Sequence, residues 1–136
     1  MASVAKDLLL LIEGFTALLG LYVGYEFITQ PSGTSLGLSL SILSSFPIRV
    51  QDFYYPGLWI FVVYGLGFAL VTYSLLSGRR GSWAVALVLC LVWLVGLTFV
   101  IIYMGPNTFS EALFVPQVVS LILLVGARRQ VSARGA

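Results

Sequence analysis

"LLLLIEGFTALLGLYVGYEFI", residues 8 to 28, contains two carboxylates, Glu13 and Glu26, and no basic residue. Wound as an α-helix, its 21 residues span about 31 Å, close to the thickness of a bilayer's hydrocarbon core. Three more apolar runs follow. Leu58 to Leu76 is opened by Pro56-Gly57, with proline where a first helical turn tolerates it. Trp83 to Met104 is closed by Gly105-Pro106. Ala112 to Val125 is the shortest and contains Pro116; it could start as early as Thr108, with Asn107 or Thr108 as N-cap. Backbone groups inside a bilayer must be satisfied within the segment, so each run is expected to be a helix.

Composition agrees. The chain of 136 residues is 60% hydrophobic and 9% charged, against about 25% charged in an ordinary soluble domain. The expected fold is all-α: a polytopic membrane protein with four transmembrane helices in an up-down bundle, all in one domain. The spans are expected at about 8–28, 58–76, 83–104 and 109–126, with an outer link over 29–57 and a cytoplasmic tail over 127–136. Glu13 interrupts the first run and no small-x-small cleavage site follows, so that run reads as a retained span.

Four spans place Lys6, Arg79, Arg80, Arg128, Arg129 and Arg134 on one side and only Arg49 on the other. Basic residues stay cytoplasmic, so both termini are expected inside. Tyr25, Tyr54, Tyr55, Trp59 and Tyr103 would mark the outer interface, and Tyr73 and Trp83 the inner one.

Several chemistries are excluded. Histidine is absent and Cys90 is the single cysteine, which removes His-based metal or haem sites, a histidine general base and any paired-cysteine redox centre. No phosphate loop, nucleophile–base pair or metal-ligand spacing occurs, so no catalytic, cofactor or metal residue is assigned and the protein is expected not to be an enzyme. A net charge of +2 gives no reason to expect nucleic acid.

The polar candidates are few. Glu13 lies inside the first span, where an ionisable group costs about 2.5–3.5 kcal/mol unless paired, hydrated or neutral. It is expected either to snorkel or pair with Lys6 or an inner Arg, or to serve as a neutral acid at a proton or ligand site. Glu26, Arg49, Asp52 and Glu111 sit at outer span ends or in the link and could converge, with Arg49 as the one available cation. Gln117 and Ser120, one turn apart after Pro116, bring hydrogen-bonding groups to mid-depth. Thr16, Gly20 and Gly24 form a stripe of small residues that lets another backbone approach, and Gly65 and Ala69 repeat the spacing on the second span. The stripe serves either a helix of the same bundle or a partner.

The link is unusually apolar for a connection. Turn residues bound it, Pro31-Ser32-Gly33 at one end and Tyr55-Pro56-Gly57 at the other. Between them Leu36, Leu38, Leu40 and Ile42 alternate as in a strand, while Leu36, Leu40 and Leu43 also fit one helix face with Ser39 as N-cap. A short interfacial helix or re-entrant cap is favoured, since an isolated strand would leave its ladder unpaired, and Arg49 and Asp52 are its expected tethers. Pro31-Ser32-Gly33, Leu36-Gly37-Leu38, Phe46-Pro47 and Tyr55-Pro56-Gly57 together resemble small four-helix prokaryotic membrane proteins of unassigned function, loosely similar to the DoxX-like group. Some of that group accompany quinone-linked oxidases, which implies an accessory subunit in a prokaryotic plasma membrane.

The expected function is therefore a non-catalytic accessory or scaffolding subunit of a larger membrane complex, respiratory ones included. It would contact lipids and either other membrane subunits or further copies of itself. A lipid- or small-molecule-binding bundle and an oligomeric proton or cation conductor are the alternatives.

Overall fold

The computed structural model describes residues 3–105 and 108–134, and of residues 3, 104, 108, 109, 111, 112 and 128–134 only the backbone. Among the described residues there are four long helices: α1 (Ser3–Thr29), α2 (Tyr54–Leu76), α3 (Ser82–Met104) and α4 (Thr108–Arg134). No strand occurs among the described residues. α1, α2 and α3 are long and apolar enough to cross a membrane; in α4 the apolar portion is Leu113–Ala127.

Helix ends differ from the expected ones where local chemistry permits extension. α2 starts at Tyr54, so Pro56 is its third residue, still in the turn whose N–H groups need no intrahelical partner. Asp52 assists, its Oδ1 accepting from the Tyr54 N–H at 3.0 Å. The stretch expected as a tail after residue 126 instead continues α4 to Arg134, being rich in Ala, Arg and Gln, which favour helix.

α1 and α2 run antiparallel at very short range. Gly20 abuts Gly65, Gly24 abuts Phe61, and Gly57 abuts Phe27 and the backbone of Gly24 and Ile28. Each step of four up α1 is a step of four down α2. In a regular helix every fourth residue drifts about 40° around the axis. Ile60–Leu66 is wound as a π-helix, with the Gly67 N–H reaching the Val62 carbonyl, and this wider turn holds Gly57, Phe61 and Gly65 nearer one line. A Cβ on Gly20 would lie 2.7 Å from the Gly65 nitrogen, and one on Gly65 would lie 2.9 Å from the Leu21 nitrogen. Only glycine fits.

α3 meets α2 through aromatic rings. Trp93 lies edge-on to Tyr64 at 4.4 Å and to Phe68 at 5.7 Å, and the Tyr64 hydroxyl sits on Gly96. α4 returns along α3, with Trp83 Nε1 donating to the Leu124 carbonyl at 2.6 Å. Leu9, Val71, Leu75, Ala86, Cys90 and Leu124 form the core that joins all four helices.

The link folds as two 3₁₀ turns, Thr34–Leu36 and Leu40–Ser45, and Ser39 caps the second by accepting from the Ser41 N–H. The strand reading fails because Gly33 and Gly37 take φ of 74° and 69°, which breaks an extended run. The short helix capped by Ser39 is present, as a 3₁₀ turn, but its leucines do not share one face: Leu43 is buried, whereas Leu40 is exposed. Arg49 is exposed and makes no ion pair among the described residues, and Asp52 caps α2 instead. Apolar contacts and one backbone bond hold the link. Phe53 stacks on Phe27 at 4.7 Å while its N–H reaches the Pro31 carbonyl at 2.9 Å. Phe46 crosses to α3 and stacks on Phe99 at 5.6 Å.

Replacing Gly20 by leucine must separate α1 from α2, and such overpacking costs about 1–3 kcal/mol. Unfolding of the variant in bicelles is expected to show this loss. Gly126→Ala, where an added Cβ meets nothing, is expected to be neutral or slightly stabilising.

Candidate functional site

One turn of α1 faces one turn of α4 in antiparallel register, Glu13 opposite Ser120 and Thr16 opposite Gln117. Both helices turn these residues inward and leave large apolar side chains outside, Leu11, Phe15 and Leu18 on α1 and Val115 and Ile122 on α4. Glu13, Gln117 and Ser120 are each 0% exposed and Thr16 is 4% exposed. Glu13 therefore does not snorkel. It forms no ion pair with Lys6 or Arg79 either, while the side chains of Arg128, Arg129 and Arg134 lie outside the described residues.

The hydrogen bonds across this turn have a direction. The Thr16 hydroxyl donates to the Ile12 carbonyl at 2.8 Å, so its oxygen is left to accept. Gln117 Nε2 donates to it at 2.7 Å. From α3 the Cys90 thiol donates to the Gln117 backbone carbonyl at 3.2 Å. Ser120 lies close enough to interact with the Glu13 carboxyl without meeting hydrogen-bond geometry. Pro116, inside α4, brings no N–H for the carbonyl four residues earlier, an irregularity immediately before Gln117. Five buried polar side-chain atoms lack a hydrogen-bond partner among the described residues, and four belong to this turn: both Glu13 oxygens, Gln117 Oε1 and Ser120 Oγ. Buried polar groups are normally paired, so the concentration marks this turn as the site.

The other candidates are distributed differently. Glu26 is half-buried, Arg49 exposed and Asp52 engaged at the start of α2; no ion pair joins Glu26, Arg49 and Asp52, and the Glu111 side chain lies outside the described residues. Gly20, Gly24 and Gly65 line the α1–α2 contact, and Ala69 packs beside Ala17, Phe68 and Trp93. Thr16, at one end of the small-residue stripe, belongs to the polar turn instead. Sequence reasoning missed the contribution of Cys90 and the pairing of Thr16 with Gln117, which are 101 residues apart. Their only visible signal was polarity at mid-depth on two separate spans. Among the described residues no cluster of three or more Cys, Asp or Glu could hold a metal ion.

No family model, curated protein or solved structure matches this chain.

Thr16→Val keeps the shape but removes the acceptor for Gln117. Interhelical hydrogen bonds of this kind in membranes average about 0.6 kcal/mol, with a maximum near 1.7. A thermal-stability assay in detergent is expected to show a loss in that range, and Thr98→Val, whose hydroxyl bonds only within α3, a smaller one.

Proposed function

We propose that the protein is a non-catalytic membrane subunit that works by contact, an accessory or scaffolding element of a larger assembly. The observation that carries this reading is the coverage of α3. It is the most apolar of the three long spans, yet only 17% of its most apolar window is buried inside the protein, against 33% for α1. Its outer flank bears two shallow apolar depressions, which share Leu91 and Val95. One includes Trp59 and Tyr64 of α2, and the other Phe99 and Ile102. Side chains of another membrane helix fit depressions of this kind by close packing. The tightest small-residue surface is already used between α1 and α2, so the partner would dock on larger side chains. Resemblance of the link to DoxX-like proteins is consistent with an accessory role beside quinone-linked oxidases. The same depressions favour one second reading, a bundle that holds lipid chains there.

In this reading α4 is the fourth crossing, the helices alternate up and down, and both termini face the cytoplasm. The apolar part of α4, Leu113–Ala127, is about 22 Å long as a helix, and the turns on either side of it extend the crossing; the basic residues support the orientation. A prokaryotic plasma membrane is the proposed location.

Native mass spectrometry after purification in gentle detergent tests the assembly. A stable complex with another subunit is expected, a species carrying only phospholipid would favour the second reading, and a bare monomer would overturn both. Orientation is checked in a Cys90→Ala background with a membrane-impermeant thiol reagent. Ser39→Cys is expected to react in intact cells, and Ser77→Cys only after lysis.

A further inference from the structure

The polar turn between α1 and α4 has a surplus of acceptors. Because the Thr16 hydroxyl hydrogen is committed to the Ile12 carbonyl, the Gln117 atom beside it must be the amide nitrogen. That fixes the amide and leaves Gln117 Oε1 as the unpartnered end. The Cys90 hydrogen is likewise committed, to the Gln117 backbone carbonyl. What remains is Glu13 Oε1 and Oε2, Gln117 Oε1 and Ser120 Oγ, all buried and without hydrogen-bond partners among the described residues. These four oxygens have a single hydrogen among them, that of Ser120.

Four buried acceptor oxygens, two of them on one ionisable carboxyl, are complemented by one positive charge that prefers oxygen. A divalent ion would leave a net buried charge, which is costly. Softer transition metals favour nitrogen and sulfur ligands. We propose that Glu13, Gln117 and Ser120 form an intramembrane site for an exchangeable monovalent cation, a proton or Na⁺, with Glu13 as the charge-bearing ligand. With a proton bound, Glu13 is neutral, and its carboxyl hydrogen and that of the Ser120 hydroxyl beside it serve the acceptors of this turn. With Na⁺ bound, the same oxygens are ligands. The site needs no partner subunit, so it stands apart from the contact function.

The titratable groups around it are few. Cys90 faces Glu13 from α3. On α2, Tyr64 points to Gly96 and the exposed Tyr73 ring lies under Arg79. On α1, Lys6 and Asp7 lie about two turns away toward the helix start. α4 contributes the non-titrating Gln117 and Ser120, and its Glu111, Arg128 and Arg129 side chains lie outside the described residues.

The test uses the full chain in liposomes and dicyclohexylcarbodiimide, an apolar reagent that modifies neutral carboxylic acids. Peptide mapping is expected to find the adduct on Glu13 and none in Glu13→Gln. Above the midpoint the labelling rate should fall about tenfold per pH unit, as the neutral fraction does. Slowing by Na⁺, with no effect of choline, identifies a sodium site; insensitivity to Na⁺ identifies a proton site. Infrared difference spectra of wild type against Glu13→Gln report the same carboxyl without requiring reagent access. A Glu13 carboxyl band that neither pH nor Na⁺ moves overturns the proposal, whichever form it reports. Gln117→Leu is expected to shift the midpoint of the titration, and Val115→Leu, on the exposed face of α4, to leave it unmoved.

Discussion

Helices in lipid gain nothing from the hydrophobic effect when they meet, because the tails they displace are as apolar as leucine. Close approach must supply the attraction. Here it is supplied where α1 and α2 touch backbone to backbone at Gly20 and Gly65, with Gly24, Phe61 and Gly57 continuing the contact. The position of everything else follows. With α2 against one face of α1, Tyr64 and Phe68 are turned to receive Trp93 of α3. α3 then orients α4 through Trp83 and Cys90, and α4 brings Gln117 onto Thr16.

The features legible in the sequence were those that the solvent dictates. A bilayer sets span length, so Leu8 to Ile28 and Trp83 to Met104 were recognisable from apolar runs and their flanking residues. The glycine spacing on α1 and the burial pressure on Glu13 were visible for the same reason, since both break the apolar rule. Residues that met through tertiary structure were not legible. Nothing local to Ile60–Leu66 announces a π turn, which coincides with the close contact that Phe61 and Gly65 make with α1. Neither could the apolar alternation of Leu36 to Ile42 distinguish a strand from a 3₁₀ turn. Gly33 and Gly37 decided it, through positive φ angles that the pattern of leucines does not encode. Arg49 illustrates the opposite error: one cation among three acids suggested pairing, but exposed pairs contribute little, and the aromatic contacts of Phe53 and Phe46 hold the link without it.

Two kinds of surface result. The α1–α2 face is narrow and, at Gly20, Gly24, Gly57 and Gly65, intolerant of a single methyl group. The outer flank of α3 is broad and made of larger branched and aromatic side chains. Between α1 and α4 lies a third environment, enclosed but polar, where the protein leaves acceptors unanswered.

That enclosed turn also has a history during synthesis. α1 emerges first, and the residue that bonds Thr16 is 101 positions later. At about 5–20 residues per second, ~5–20 s pass before α4 can cover Glu13. Through that interval the carboxyl has only α1, and then α2 and α3, beside it. The glycine seam can close early, because α1 and α2 are neighbours in the chain, and it positions Glu13 before Gln117 and Ser120 exist. The order of translation thus makes α4 the last element to cover Glu13, against helices that have already met.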